Sequence, residues 1–519
     1  MSFIVFMLLA GVCFAQKGKD LPADLEHKAQ EYFAKDDYDG FYQYLQTFLK
    51  EGASQSPNVY FYLASARQQQ ILYWQKTKNW EGVYDKATGY RKDIDQNLSK
   101  AESLAKDNPE LLLGIKYLKW QNVEDEDPDR GVGLFNDVAN TARDMVKSGP
   151  SIEKIKQIAD ELSTLEDKNL SRRLYEVYVE KLNASNLSKK EIKERGEKFL
   201  EEGHAYLAKA VFDNYLNRLS DNKELQAKET VAIANKFVDN GREEGLDPMY
   251  AETMYKKAYE LIGQAAFDSQ SQYRRAFNLE RLKEFERAID EYKNLIHAYP
   301  DYAQKSEIYF RLGVLAAYAQ KNIDQAQEYF LKLKDEFALD LLVLSSLYQL
   351  GLLSQWKKDF DKAKEFYDSL MENAKARGVD LEKNEIVLLV KDRLKEIEDK
   401  KEIKYALRLF LEGTFRVGKE NVPSPVSIDL TARPAKADVG QSVRFVVTTS
   451  YPQTGCMTPQ YSYEWSGELG SISNIPNSPE LTTDYASPGI KVIHVALVGP
   501  QGPEGVAFEM AQISESEVK

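Results

Sequence analysis

The chain has 519 residues, 43% hydrophobic and 29% charged, a balance that excludes collagen-like and wholly disordered chains and leaves room for two or three domains. Its 69 Lys and Arg stand against 82 Asp and Glu, a net charge of -13 without a local basic stripe, which argues against a nucleic acid partner. A mean hydropathy of -0.52, with no long uncharged apolar run past the N-terminus, excludes a polytopic membrane protein.

Residues Phe3 to Val12 read FIVFMLLAGV, the length of a signal-peptide apolar core and too short to span a bilayer. Cys13-Phe14-Ala15 before Gln16 fits a small-x-small cleavage site, so residues 1–15 are expected to be removed, although no Lys or Arg precedes the apolar core. Lipidation of Cys13 is the alternative, but Val12 stands where lipoprotein signals want Gly, Ala or Ser. Either route predicts a periplasmic or secreted protein with no transmembrane span in the mature chain. Simple cleavage is favoured over an outer-membrane lipoprotein. Loss of Cys13 leaves Cys456 alone and no internal disulfide. His27, His204, His297 and His494 lie far apart and lack metal-ligand spacing, so no metal site is expected.

From Leu21 to Leu411 helix formers dominate, and apolar residues recur at three- and four-residue steps. Three segments align: FERAIDEY from Phe285, IDQAQEYF from Ile323 and FDKAKEFY from Phe360. Each places an Ala (Ala288, Ala326, Ala363) four residues before an aromatic and seven before a Leu (Leu295, Leu333, Leu370). Those positions share one helix face: the Ala permits close approach, and the ring and Leu fill the space between neighbours. One hairpin cannot bury that face alone, so the units must stack. Fainter copies run upstream, giving roughly eight to ten helical pairs.

This pattern resembles the tetratricopeptide repeat (TPR), with Tyr309, Leu312 and Gly313, then Leu347, Leu350 and Gly351, at its first-helix positions and Pro300 at its terminal proline. The resemblance implies a concave groove that binds proteins or peptides, and its register assigns Phe310, Tyr318, Tyr348 and Gln355 to that groove; the same residues could equally pack inside the solenoid. The apolar run Leu341 to Leu353 is interrupted by Ser345, Ser346, Tyr348 and Gln349 and reads as a buried repeat helix. The charged stretch Leu381 to Leu411 reads as a terminal cap.

After Gly413 the composition shifts. TFRVGKENVPSPV reads as a linker (414–424), and beyond it the period becomes two. Strands are predicted around 426–430, 442–447, 461–465, 482–485, 491–498 and 505–513, a spacing that indicates a β-sandwich. Val439-Gly440-Gln441-Ser442-Val443, Tyr463-Glu464-Trp465-Ser466-Gly467 and Tyr485-Ala486-Ser487-Pro488-Gly489 together resemble the PKD/bacterial Ig-like family. The resemblance implies a buried Trp465 and a corner at Tyr485; His494 reads as a tolerated sheet residue.

The expected fold is therefore mainly α: an α-α superhelix of TPR-like repeats (16–413), then a small PKD/Ig-like β-sandwich (425–519). No phosphate-cradling Gly loop, nucleophile elbow, HExxH or paired-Cys motif occurs, so no catalytic residue or cofactor is predicted. The acidic run Glu124 to Asp129 lacks the sixth-position Gly and twelfth-position Glu of a calcium loop. The expected function is an exported, non-enzymatic scaffold or adaptor holding a protein or peptide in a bacterial cell-envelope complex. The alternative is a carbohydrate- or peptidoglycan-binding accessory protein acting through the C-terminal domain, with polysaccharide as its partner.

Overall fold

The computed structural model describes residues 25–515 except 51–55, 78–81, 106–107, 124–126, 148–154, 158, 161–162, 164–167, 240–244, 417–425, 451–460, 473 and 501. The expected signal segment, both cysteines, Glu124 to Glu126 and most of the expected linker lie outside the described residues. The chain divides into two compact units, Met1–Arg218 and Leu219–Lys519.

The first unit holds α1 (Leu25–Phe33), α2 (Tyr38–Lys50), α3 (Pro57–Lys76), α4 (Tyr84–Leu104), α5 (Pro109–Gln121), α6 (Pro128–Lys147), α7 (Lys168–Ala184), α8 (Lys189–Glu201) and α9 (Ala205–Asn217). The second holds α10 (Lys223–Val238), α11 (Pro248–Ile262), α12 (Ser269–Arg281), α13 (Phe285–Ala298), α14 (Lys305–Val314), α15 (Ile323–Glu336), α16 (Leu342–Trp356), α17 (Phe360–Ala376), α18 (Glu385–Glu398) and α19 (Tyr405–Phe415). Their starts are written in short polar side chains. Asn108, Asp268, Asn322, Asp359 and Asn384 each accept a hydrogen bond from the backbone N–H three residues on, and Ser188 with Glu191 forms a reciprocal capping box.

Consecutive helices pack as hairpins, among them α3–α4, α5–α6 and α8–α9 in the first unit and α12–α13, α14–α15 and α16–α17 in the second. The repeated Ala, aromatic and Leu positions (Ala288, Tyr292 and Leu295, and their counterparts) are all fully buried in one continuous core. The Leu-Gly step of the first helix has a steric cause. A Cβ on Gly313 would lie 2.5 Å from the Phe330 ring, and one on Gly351 would lie 2.4 Å from the Tyr367 ring. Each glycine thus makes room for the aromatic four residues after the second helix's Ala. Gly351→Ala should cost about 1–3 kcal/mol by overpacking, read from chemical denaturation.

Between first and second helices the chain turns through a left-handed residue that is Lys in three successive repeats: Lys283 (φ 61°), Lys321 (φ 60°) and Lys358 (φ 63°). A side chain is strained there and glycine is not. Exposed Lys321, which has no ion pair among the described residues, is the clean test. Lys321→Gly should stabilise the protein by about 0.5–1 kcal/mol in thermal denaturation.

The stretch expected to be one capping helix is two. It breaks between Glu398 and Tyr405, where Lys400 turns left-handed and the Glu396 carboxylate accepts the Lys404 N–H. The second piece, α19, does not end the helical array in water. It lies against the β domain, and a Cβ on Gly413 would sit 2.4 Å from Val506 Cγ1. It also runs to Phe415, into the first residues of the expected linker.

Among the described residues seven strands follow: β1 (Ser427–Arg433), β2 (Lys436–Asp438), β3 (Val443–Ser450), β4 (Ser462–Gly467), β5 (Glu480–Thr483), β6 (Gly489–Gly499) and β7 (Gly502–Ser514). They form two sheets, β1-β3-β5 and β2-β7-β6-β4, antiparallel except for the β2–β7 pair. The sheets share a core that includes Leu430, Phe445, Trp465, Leu481, Tyr485 and Val495, so Trp465 and Tyr485 are buried. The short β2 lies outside the predicted strands.

Strand β6 is apolar on both faces. Ile493, Val495 and Leu497 enter the core between the sheets, whereas Ile490 and Val492, with Phe508 and Met510 of β7, join the core of the helical repeats. A sandwich whose outer face met water would alternate there; a continuous apolar run marks a strand covered on both sides.

Candidate functional site: the face where repeats and sandwich meet

All four residues assigned to the groove are buried, each with a partner inside the C-terminal unit. Phe310 packs on Phe330 at 5.7 Å between ring centroids, inside the hairpin. Tyr348 packs on Tyr367 at 6.4 Å, and Gln355 accepts the Tyr367 hydroxyl at 3.0 Å while donating to Glu396 at 3.2 Å. Tyr318 sits in a π turn, Leu315–Ala319, that continues α14. Its ring meets Phe410 of α19 (5.3 Å), His494 of β6 (5.1 Å) and Phe508 of β7 (5.7 Å), and its hydroxyl donates to Gln349 at 2.5 Å. The face that would carry a bound peptide in this unit carries the chain's own α19 and β6–β7.

His494 lies at the centre of that contact. It is fully buried, its ring stacks on Phe410 at 4.1 Å, and neither ring nitrogen has a hydrogen-bond partner among the described residues. Burial pushes it down to about 3, so it is neutral in the folded protein.

Polar groups fasten the edges. Lys283 pairs with Glu509 at 2.7 Å, Gln512 donates to Glu307 at 3.3 Å, and Lys436 approaches Asp239 at 3.6 Å. At the other end Lys491 Nζ lies 3.4 Å from Glu385 and 3.6 Å from Glu468 and donates to Ser487 at 2.8 Å. Glu385 also accepts the Ala486 N–H (2.6 Å) and the Ser487 hydroxyl. Burial pushes Glu385 up, but Lys491 and these donors outweigh it and hold it below the usual range. For Glu468 burial wins over Lys491 and lifts it to about 7.

Beneath the contact, Arg311 of α14 is 0% exposed. It donates to Glu307 (2.8 Å) and to Glu280 of α12 (2.7 Å); Tyr273 donates to Glu307, and Tyr292 donates to Glu280 at 3.1 Å. Burial opposes its charge, but the two carboxylates hold its pKa well above the ordinary value. The arrangement is a packed interface whose charges are paired.

The first unit has its own cluster. The Arg67 guanidinium lies between the rings of Tyr42 (3.6 Å) and Tyr90 (3.7 Å) and pairs with Asp39 and, at 3.6 Å, Asp93. Tyr90 donates to Asp39 at 2.7 Å and stacks on Trp74 at 5.3 Å, and Lys86 reaches Asp39 at 3.7 Å. Spacing could not reveal this constellation, because its members come from α2, α3 and α4. Phe410 and Phe508 carry no such signal, and His494 reads in sequence only as a tolerated sheet residue; the visible sign is the largely apolar run of β6, interrupted by Lys491 and His494.

Among the described residues no helix is long and apolar enough to cross a membrane, and no group of three or more His, Cys, Asp or Glu could hold a metal ion. No curated protein matches the chain. Similar solved structures include yeast Tom70 (17% identity, 75% of this chain and 79% of that one, TM-score 0.24) and the TPR domain of P58(IPK) (13%, 73% and 99%, TM-score 0.21). A human IFIT1 dimer with m7Gppp-AAAA is similar at 13% identity, covering 72% of this chain and 94% of that one, with a TM-score of 0.21. The repeat assignment rests instead on hairpin geometry and on a sequence match: residues 270–302 and 345–375, within the second unit, match the tetratricopeptide repeat family, so the helical array carries repeats of a kind that typically build protein-interaction scaffolds.

Proposed function

We propose that this protein is an exported, non-enzymatic scaffold of the bacterial cell envelope whose protein partner is held by the repeats of its N-terminal unit. The observation that carries this reading is the occupied face in the C-terminal unit. Phe310, Tyr318, Tyr348 and Gln355 serve there as core and as the seat of the chain's own sheet, so the groove role falls to the repeats of residues 25–218. At the edge of the buried Arg67, Trp74 and Tyr90 cluster, exposed Lys86 beside Asp39 offers a charged contact point. Export is supported by the apolar segment Phe3 to Val12, and a PKD/Ig-like identity for the sandwich by its two-sheet topology with buried Trp465 and Tyr485.

The test is lysine cross-linking of the tagged full-length protein in intact cells, with the cross-linked sites located by mass spectrometry. Partner cross-links at lysines such as Lys86, reduced by Lys86→Glu, are expected. A partner attached only at 219–515, or retention of the purified protein by polysaccharide in place of protein, would overturn the proposal.

A further inference from the structure

A cavity of about 420 Å³ opens where the first turn of α16, the segment 379–386 and the sandwich loop 486–491 come together. Its walls are mainly apolar: Leu341, Leu344, Val379, Ile386 and Pro488. Its lip is held rigid. Asp340 accepts the Leu342 N–H (2.8 Å) and the Ser306 hydroxyl (2.6 Å), and Arg377 donates to the carbonyls of Ala338, Leu339 and Asp340 at 2.5, 3.1 and 2.7 Å. This bracing leaves Leu339 95% and Leu341 47% exposed beside the opening. These two leucines extend the apolar wall of the cavity onto the surface.

Two polar features complete the site. Ser345 lines the cavity and is 6% exposed, and its hydroxyl has no hydrogen-bond partner among the described residues. Two acids in the lining, Asp380 and Glu515, stand against two lysines, Lys383 and Lys491. Lys383 is matched by Asp380 at 3.7 Å and Lys491 is answered by both Glu385 and Glu468, while Glu515, also in the lining, has no ion-pair partner among the described residues.

We propose that this cavity binds an apolar side chain of a second polypeptide that carries a Lys or Arg beside it. The apolar residue fills the pocket between Leu344 and Ile386, and the basic residue lies against Glu515. Because α16, the start of α18 and the sandwich loop all supply wall, the site is complete only while the sandwich is docked, so binding tightens that docking. The proposal does not depend on partner binding by the N-terminal unit.

The experiment uses the full-length protein with labelled Leu and Ile methyl groups and two probes, N-acetyl-Leu-Arg-amide and N-acetyl-Leu-Glu-amide. Saturable shifts of the Leu344 and Ile386 methyls are expected with the Arg probe, with affinity about tenfold weaker for the Glu probe. Leu344→Trp, which fills the pocket, should abolish binding with the remaining methyl spectrum unchanged. The exposed Glu515→Lys change, which leaves the core untouched, should narrow the difference between probes to about threefold or less. No saturable shift with either probe, equal affinity for both, or binding unaffected by Glu515→Lys would overturn the proposal.

Discussion

Replacing Arg311 with Met should destabilise the C-terminal unit by about 3–5 kcal/mol, the range for breaking a fully buried ion pair from one side. The side chain it removes is 0% exposed and pairs with both Glu280 and Glu307, which are buried. Without the guanidinium neither carboxylate has a cation in hydrogen-bond contact among the described residues, Lys283 and Lys436 acting only from farther off, and burial favours uptake of a proton. The loss should spread to the β domain, because Gln512 of β7 donates to Glu307. Hydrogen exchange followed by mass spectrometry should therefore show faster opening in α12 and α14 and also in β7. Adding Glu280→Gln and Glu307→Gln to Arg311→Met should recover much of the loss, since an uncharged network leaves nothing unanswered. A cost under about 1 kcal/mol for the single change would mean that water reaches the network and that its burial is not real.

The same network shows why much of the fold was legible and the site was not. The repeat was readable because its cause is local: Ala288, Tyr292 and Leu295 share a face by helix geometry alone, and Gly351 answers Tyr367 through one hairpin turn. The sandwich was readable because alternation is also local, though β2, three residues long and paired with the far end of β7, carries too little pattern to register. What could not be read was which surface covers which. Tyr318 was assigned to a groove by its register in the repeat, and nothing in its own neighbourhood says that residues 410, 494 and 508 return to cover it. The clue lay in β6, where Ile490 to Leu497 breaks the alternation a half-exposed strand would keep. A strand with two apolar faces needs two covers, and a chain with one sandwich core has only one left to offer: its own repeats.

The pH response of that contact should come from two opposed groups, and single substitutions should separate them. His494 faces Tyr318, Phe410, Phe508 and Gly467. The only titratable group among these is the Tyr318 hydroxyl, which is committed to Gln349, so no charge assists protonation of the ring. The folded protein holds it neutral down to about 3, against an ordinary value of 6.5. Its contribution to stability is complete above pH 6.5 and is lost as pH falls toward 3. Glu468 behaves in the opposite sense. It faces Lys491, Glu385, Tyr348 and Tyr485, and burial raises it from 4.5 to about 7, so the folded protein binds its proton more tightly than the unfolded chain does. Its cost is absent below pH 4.5 and grows as pH rises to 7. Between these limits the two slopes cancel, each approaching about 1.4 kcal/mol per pH unit, so neither is visible in the wild-type protein. In His494→Phe the stability difference from wild type should move in the variant's favour by about 2–3 kcal/mol between pH 6.5 and 4.5. In Glu468→Gln the variant should gain on wild type as pH rises from 4.5 to 7, by a similar amount. Any constant offset from the lost Lys491 contact leaves that slope unchanged. Chemical denaturation of the full-length proteins across this pH range reads both. Curves parallel to wild type would show that water or another side chain reaches His494 and Glu468 in the folded state, and the sealed contact between sheet and repeats would have to be abandoned.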